Sequence, residues 1–500
     1  MVVNLQENIR RPLVNLVVVS NRVARGHANE PMTGGLAAAL LPVVEKSGAI
    51  WVGSSGRVRD GAQKEPFAEV EALGAGALAM LDLPAAHYGG YYEGFANSVL
   101  WPALHSRADL IRASQDDYLS YREVNAFMAR ALLRFKKPET AFWIQDYHFL
   151  ALAAELRDLG VTQPIGFFLH TPWPTRAVIG GVPHHRELIE AMLAYNLIGF
   201  QTTDDCENFL GYLSSDLGLE AQNGIVKSRH GTSQIGVFPI GIDAEKFALQ
   251  AAKAASHPEV SRLRRSLNGE KLAIGVDRLD YSKGLINRIS AFDRMWTLYP
   301  SLARTVSLLQ IANPSRGAIE AYGNLQSELA KLVSDVNGRH GEVDWTPIRY
   351  LYKGYSQTVL AGLYRTAQVG VVTPLHDGMN LVAKEYVAAQ NPADPGVLVL
   401  SKFAGAANEL DTALLVNPHD IDGMARMIAT ALSMPLTERR MRWEGMMTKL
   451  RSGTIQQWFA DFVDALQDTQ SDKGTPEPPP MDEPTAPWPL RSVNFGARCY

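Results

Sequence analysis

Apolar residues in this chain gather in short continuous runs, and between the runs they recur at helical spacing. Residues 16–19, 50–52, 142–144, 165–169, 197–198 and 235–238 read as strands that are apolar throughout. Stretches such as 149–156 and 186–195 carry a helical pattern between them. Strands apolar on both faces and alternating with helices predict a parallel sheet covered on both sides. The pattern then restarts, with strands at 272–276, 306–311, 369–372, 397–400 and 414–416 and helices at 319–336, 381–390 and 423–432. Two successive α/β series predict two doubly wound domains. The boundary is placed near 243–257, in the polar, Ala-rich stretch that begins DAEKFALQAAKAASH. The expected organisation is an N-terminal domain over 14–245, a C-terminal domain over 246–452 and a helix over 453–468 that packs back on the domains. That helix carries Ile455, Trp458, Phe459, Phe462, Val463 and Leu466 at helical spacing. The tail, 469–500, is rich in Pro and acidic residues and reads as disordered.

Composition narrows the function classes. The chain has 500 residues, 46% hydrophobic and 20% charged, with formal net charge −4, which gives no nucleic-acid footprint. Its two cysteines, Cys206 and Cys499, make neither a disulfide framework nor a zinc cluster, and a reducing compartment follows. The N-terminal MVVNLQENIRRPL lacks the apolar core of a signal peptide, and no apolar run is long enough to span a bilayer. The expected location is the cytoplasm, with no membrane partner.

In open parallel sheets ligands bind beyond the carboxyl ends of the strands, and the cleft between two facing domains is the default site. The residues just after the predicted strands are therefore the informative ones. Arg22 follows the first strand, ahead of Gly34 and Gly35 at the start of a helix. Asp146 and His170 follow the strands at 142–144 and 165–169. Arg278 and Lys283 follow 272–276, and Arg316 follows 306–311. Asp377 and Gly378 follow 369–372 and lead into a helix bearing Glu385. The amides at the start of that helix, around Met379 to Leu381, suit an anion, and Glu385 suits vicinal hydroxyls. Asp377 reads either as a plain N-cap or as a cleft residue. Each cation alone reads equally as a solvated side chain. Four of them after strands, in both halves, predict a cleft that binds phosphates from both sides.

The segments FANSVLWPALHSR, WIQDYHFL, IGFFLHTPWPT, FPIGID, DRLDYSKGL, NPSRG and DGMNLVAKEYVAAQ resemble those of the trehalose-6-phosphate synthase family, in family order from about residue 16 to 417. The resemblance implies a GT-B fold: α/β, two facing Rossmann-like domains with the active site in the cleft between them. It implies a retaining glucosyltransferase that makes α,α-trehalose 6-phosphate and UDP from UDP-glucose and glucose 6-phosphate, with no cofactor and no metal. Trehalose biosynthesis in osmoprotection and stress response, and a homo-oligomer (dimer or tetramer), are implied with it. Arg278 and Lys283 match residues that hold the donor diphosphate. Gly34 and Gly35 match glycines closing over the donor, and His170 and Asp377 match groups on the donor glucose. Gly378, Met379, Asn380, Leu381 and Val382, with Glu385, match diphosphate and ribose contacts, and the uracil is expected near Tyr355. Arg22 and Arg316 match residues gripping the acceptor's 6-phosphate, Tyr92 and Trp101 line its pocket, and Asp146 bonds its hydroxyls.

The chain departs from the family pattern at Ser54, where the family has Trp, at Gln145 for His, at His376 for Arg, and at Thr171-Pro-Trp-Pro174. The Ser54 change keeps another phosphorylated acceptor open, such as glycerol 3-phosphate. A pseudo-sugar coupling enzyme and a non-catalytic regulatory homologue stay open beside it. Further signals carry less. Gly74-Ala-Gly-Ala-Leu-Ala79 fits a dinucleotide fingerprint but follows no clear strand. Asp420-Ile-Asp422 reads as a helix cap rather than a metal ligand, and His184-His185 lacks partners at ligand spacing.

Overall fold

The computed structural model describes residues 15–23, 35–61, 67–317 and 319–471. Gly34, the N-terminal segment and most of the tail (472–500) lie outside the described residues.

Two sheets form. The first comprises β1 (Asn15–Arg22), β2 (Ile50–Arg59), β3 (Phe67–Leu73), β4 (Gly76–Pro84), β5 (Thr140–Gln145), β6 (Ile165–Phe168), β7 (Leu197–Phe200), β8 (Ile225–Ser228) and β9 (Gly231–Val237). Its order is β3-β4-β2-β1-β5-β6-β7-β9-β8. The second comprises β10 (Lys271–Arg278), β11 (Val306–Asn313), β12 (Ile348–Leu351), β13 (Val369–Val372), β14 (Val397–Ser401) and β15 (Leu414–Val416), in the order β12-β11-β10-β13-β14-β15. Every pairing is parallel except β3 with β4 and β8 with β9. The central strands are buried along almost their whole length, as residues covered by helices on both faces must be. This is the pair of Rossmann-like domains expected, in the facing GT-B arrangement.

Each strand order reverses at one place, β1 beside β5 in the first sheet and β10 beside β13 in the second. Such a reversal leaves a crevice beyond the strand ends, because the flanking connections run off to opposite faces. Arg22 and Asp146 stand at the first crevice, Arg278 and Asp377 at the second.

The structure differs from the sequence reading at several points. The hairpin β3–β4 was not anticipated, and Gly74-Ala75 is its turn, with Gly74 at φ +57°. The fingerprint-like segment therefore does follow a strand, but it runs into an antiparallel strand instead of a phosphate-binding helix. β8 and β12 were also missed; they are short, half-exposed edge strands with little apolar signal. The predicted helix at 149–156 begins later, as Leu152–Asp158 after a single 3₁₀ turn. The stretch 243–257 is mostly the helix Ala244–Ala254, capped by Asp243, which accepts from the Lys246 N–H at 3.0 Å. It packs on the helices Gln357–Thr366 and Leu381–Ala389 of the second sheet. The chain thus crosses between the sheets at 238–243.

It crosses back at 453–454 into the helix Ile455–Ser471. There Phe462 stacks on Trp143 of β5 at 4.6 Å, and Trp458 packs on Trp143 and on Phe168 of β6 at 4.9 and 5.1 Å. The seat exists because β6 and β7 present glycines: a Cβ on Gly199 would lie 2.7 Å from the Phe462 ring. Among the described residues no helix is long and apolar enough to cross a membrane.

Candidate active site

A cavity of about 400 Å³ opens between the two sheets. It is lined from one side by Tyr92, Trp101, Asp146 and His170, and from the other by Arg278, Lys283, Arg316, Tyr355, Asp377, Met379, Asn380, Leu381, Val382 and Glu385. Residues more than 200 positions apart in sequence are thereby brought to one surface. Gly378 sits beside the lining with its backbone against the first domain. A Cβ there would lie 2.4 Å from the His170 carbonyl oxygen, so only glycine permits this approach. Gly35 opens the helix Gly35–Ser47. Arg22 does not line the cavity: it is exposed at the end of β1, its guanidinium lies over Gly56, and it acts on Tyr88, which stacks on Tyr92 at 5.5 Å.

The two cations at the opening of the second domain differ in state. Lys283 sits on a 3₁₀ turn after β10 and pairs with Asp377 at 2.6 Å, both about nine-tenths buried. Asn380 donates a second hydrogen bond to the same carboxylate oxygen at 2.9 Å. Burial alone would raise the Asp377 carboxyl, but Lys283 more than offsets it and holds the group below its usual range. Asp377 is therefore not the helix cap. Asn380 is: it adopts φ +60° and its side chain accepts from the Ala383 N–H at 3.1 Å. Arg278, in contrast, has no ion pair among the described residues. Its guanidinium lies over the Trp101 ring at 5.2 Å. An arginine without an ion pair that lines a cavity together with a helix N-terminus suits an anion.

Arg316 shares the Trp101 ring with Arg278. It lies 3.8 Å over the Trp101 ring, pairs with Asp280 at 2.8 Å and donates to the Tyr147 hydroxyl of the first domain at 3.2 Å. Its Nε is buried without a partner. Asp280 is fully buried; desolvation would raise it, yet Arg316 and Arg278 hold it at about 2. Asp280, Tyr147 and Tyr322 were not singled out from sequence. Asp280 could have been, since it stands between Arg278 and Lys283 where a carboxylate is needed to orient cations.

Three of the carboxylates that line the cavity, Asp377, Asp146 and Glu385, have three different environments. Asp377 is held ionised, whereas burial pushes Asp146 up to about 6 against the pull of the Tyr147 and His170 amides and the field of Arg278 and Arg316. Burial pushes Glu385 up to about 7, offset in part by the Gln357 amide, which donates at 3.2 Å. Asp146 adopts φ +73°, which turns the chain sharply at the end of β5. His170 is buried and neutral, with its pKa lowered to about 3. Ser54 lies in register with Arg22 and is buried, its hydroxyl accepting from the Gly56 N–H at 3.0 Å, so it borders Arg22 and not the cavity. Among the described residues no group of three or more His, Cys, Asp or Glu converges as a metal site. Asp420 caps its helix through the Gly423 N–H at 2.8 Å, and Asp422 pairs with Arg294 at 2.7 Å.

Comparison with known proteins identifies the family. The chain is similar to the trehalose-6-phosphate synthase of Sinorhizobium fredii, 45% identical over 454 residues that span 90% of this chain and 98% of the relative. A UDP-forming α,α-trehalose-phosphate synthase from Burkholderia xenovorans, solved in complex with glucose-6-phosphate, superposes with TM-score 0.88 at 44% identity, covering 91% of this chain and all of that one. An E. coli structure bound with UDP-2-fluoro glucose superposes with TM-score 0.85 at 39% identity, covering 90% and 98% of the two chains. The model of glycosyltransferase family 20 matches residues 14–468, and the chain belongs to that family.

Proposed function

We propose that this protein transfers glucose from UDP-glucose to glucose 6-phosphate with retention, yielding α,α-trehalose 6-phosphate and UDP. One observation carries the reading: a single cavity between the two sheets is lined by three cations, Arg278, Lys283 and Arg316, together with the polar side chains of Asp146, His170, Asn380 and Glu385. Three cations in one cavity fit two phosphorylated substrates. The relatives solved with glucose 6-phosphate and with a UDP-sugar support the same pair.

In this reading the diphosphate lies against Arg278, Lys283 and the amides of 378–382. The ribose hydroxyls donate to Glu385, and the uracil lies by Tyr355. The acceptor's phosphate lies at Arg316 with Arg22 at the rim, between Tyr92 and Trp101, and its hydroxyls meet Asp146. The bond from glucose C1 to the β-phosphate oxygen breaks as the acceptor's anomeric oxygen forms a bond to C1 on the same face. The acceptor proton passes to the departing phosphate. Negative charge grows on that phosphate in the transition state, so preorganised cations there lower the barrier more than they tighten ground-state binding. Arg278 and Lys283 supply this charge without a metal ion. Lys283 and Asn380 both bond Oδ2 of Asp377, and in this reading its Oδ1 orients sugar hydroxyls.

The test is UDP release from UDP-glucose in the presence of chelator, across a panel of phosphorylated acceptors. Release that requires glucose 6-phosphate, with a product cleaved by trehalase after dephosphorylation, is expected. Release with glycerol 3-phosphate instead would move the acceptor assignment and leave the chemistry. Binding without release would overturn the enzyme reading. A covalent adduct on Asp377 after incubation with UDP-2-fluoro glucose would overturn the same-face mechanism.

A further inference from the structure

His170 is contacted at both ring nitrogens. Nε2 lies 2.8 Å from the side-chain amide of Gln145, and Nδ1 lies 2.8 Å from the Met379 sulfur of the other domain. Gln145 is completely buried and His170 nearly so. Burial keeps the ring neutral, so one nitrogen carries a hydrogen and the other does not.

The two ends of a carboxamide have the same shape, and their partners decide which is which. In one arrangement Nε2–H donates to the Gln145 oxygen. Nδ1 then turns a lone pair on the sulfur, and the Gln145 NH₂ group is left buried with no acceptor. In the other the amide is turned over, its N–H donates to Nε2, and the hydrogen resides on Nδ1. That hydrogen meets sulfur, a weak acceptor, and Gln145 then leaves its carbonyl oxygen and one amide hydrogen without partners, where the first arrangement leaves two amide hydrogens. Buried donors without acceptors are rarer than under-satisfied carbonyls. The contact at each end of the ring favours the second arrangement independently.

We propose that Gln145 is a positioning residue that holds His170 as its Nδ1–H tautomer, so that the ring offers a neutral hydrogen-bond donor to a hydroxyl oxygen of the transferred sugar. Only the identity of that ligand rests on the function proposed above. The sulfur of Met379 occupies the donor's direction in the free protein and yields it to the sugar. Aromatic rings hold the imidazole in place without bonding to its nitrogens. Phe168 meets it edge-on at 4.7 Å, and Trp458, at 6.1 Å, reaches it from the helix that crosses back. Phe462 backs both Phe168 and Trp143, the ring on which Trp458 packs.

The experiment is two-bond ¹H–¹⁵N correlation on the full-length, ligand-free protein labelled with ¹⁵N-histidine, with the His170 signals assigned by their loss in His170→Asn. A bare ring nitrogen resonates far downfield of a protonated one, and Cδ2–H couples through two bonds to Nε2 alone. A bare Nε2 with a protonated Nδ1 is expected. A protonated Nε2, or averaged shifts, would overturn the proposal. Gln145→Glu supplies a carboxylate that only accepts, and it should swap the signature. It should also raise KM for UDP-glucose about tenfold while the Kd of UDP, which lacks the sugar, stays within about twofold. Gln145→His, which can again present an N–H, should restore both signature and KM. An unswapped spectrum in Gln145→Glu would also overturn the proposal. Because the spectrum is read on resting protein, a chain that failed to turn over UDP-glucose would remove the sugar and leave the tautomer assignment standing.

Discussion

Arg278 and Lys283 carry the same charge five positions apart, and the structure leaves one free and the other paired. That difference separates their roles in stability. Arg278→Ala removes no ion pair, so kcat should fall by about 10²–10³ with the melting temperature nearly unchanged. Lys283→Ala leaves the Asp377 carboxylate buried and uncompensated, which costs about 3–5 kcal/mol. Its melting temperature should fall with its activity, and the double variant Lys283→Ala/Asp377→Asn should recover stability but not turnover. Thermal unfolding and UDP release, measured side by side, check the contrast.

Glu385 gives a pH dependence at the same scale. Its carboxyl rises from 4.5 to about 7 on folding. A raised acid binds more protons in the folded state than in the unfolded one, so native stability falls as pH rises from about 4.5 to about 7. Glu385→Gln should therefore melt higher than wild type at pH 8 and equal to it at pH 4. In the proposed function ribose hydroxyls bind the ionised form, so KM for UDP-glucose should fall as pH rises through about 7, and the variant should lose that fall. Substrate-saturation curves at pH 6 and pH 8 decide it.

Among the elements, the helix Ile455–Ser471 links packing to the site. Its apolar spacing was plain in the sequence, because Trp458, Phe459, Phe462 and Val463 recur on one face. Which domain it covers was not, since both sheets offer apolar surfaces. Shape decides this: Gly166 and Gly199 leave a recess on the first sheet that fits the Phe462 ring. Phe462→Ala should cost about 3–5 kcal/mol. It should also loosen Trp458 under His170, so a rise in KM for UDP-glucose with a smaller change in KM for the acceptor is expected. Calorimetry and two-substrate kinetics test the pair of effects.

For the whole molecule, the contacts between the two domains around the cavity include Gly378 against His170, Arg316 on Tyr147, and Ser106 with His376 at 3.2 Å. The crossing at 238–243 is tied to the helix Leu381–Ala389, whose Lys384 donates to the Ile240 carbonyl at 2.6 Å and pairs with Glu409. The helix whose N-terminus lines the cavity is thus fastened to the connection between domains. Substrate binding should close the cleft, seen as a smaller radius of gyration by small-angle scattering with UDP and glucose 6-phosphate. Gly378→Ala places a Cβ 2.4 Å from a backbone oxygen of the facing domain. It should hold the cleft open, with scattering unresponsive to ligand and activity reduced at least tenfold.

The sequence by itself determined what depends on local order: two series of buried parallel strands, the helices between them, and cations and carboxylates at strand ends. Strand ends are recognisable because an apolar run stops there, and a parallel sheet brings all such ends to one edge. Edge strands β8 and β12 escaped because a half-exposed strand has no continuous apolar run. The capping residue of the helix Leu381–Ala389 was also beyond local reading, since Asp377 and Asn380 are both good caps and only the position of Lys283, 94 residues away, assigns one to the ion pair and the other to the helix. Tertiary structure alone decided that Arg278 has no ion pair among the described residues, that Arg316 rests on Trp101 of the other domain, and that the carboxyls of Asp146 and Glu385 are raised to about 6 and about 7. Those states arise from burial and from charges brought together across the cleft, and neither quantity exists until the two domains face each other.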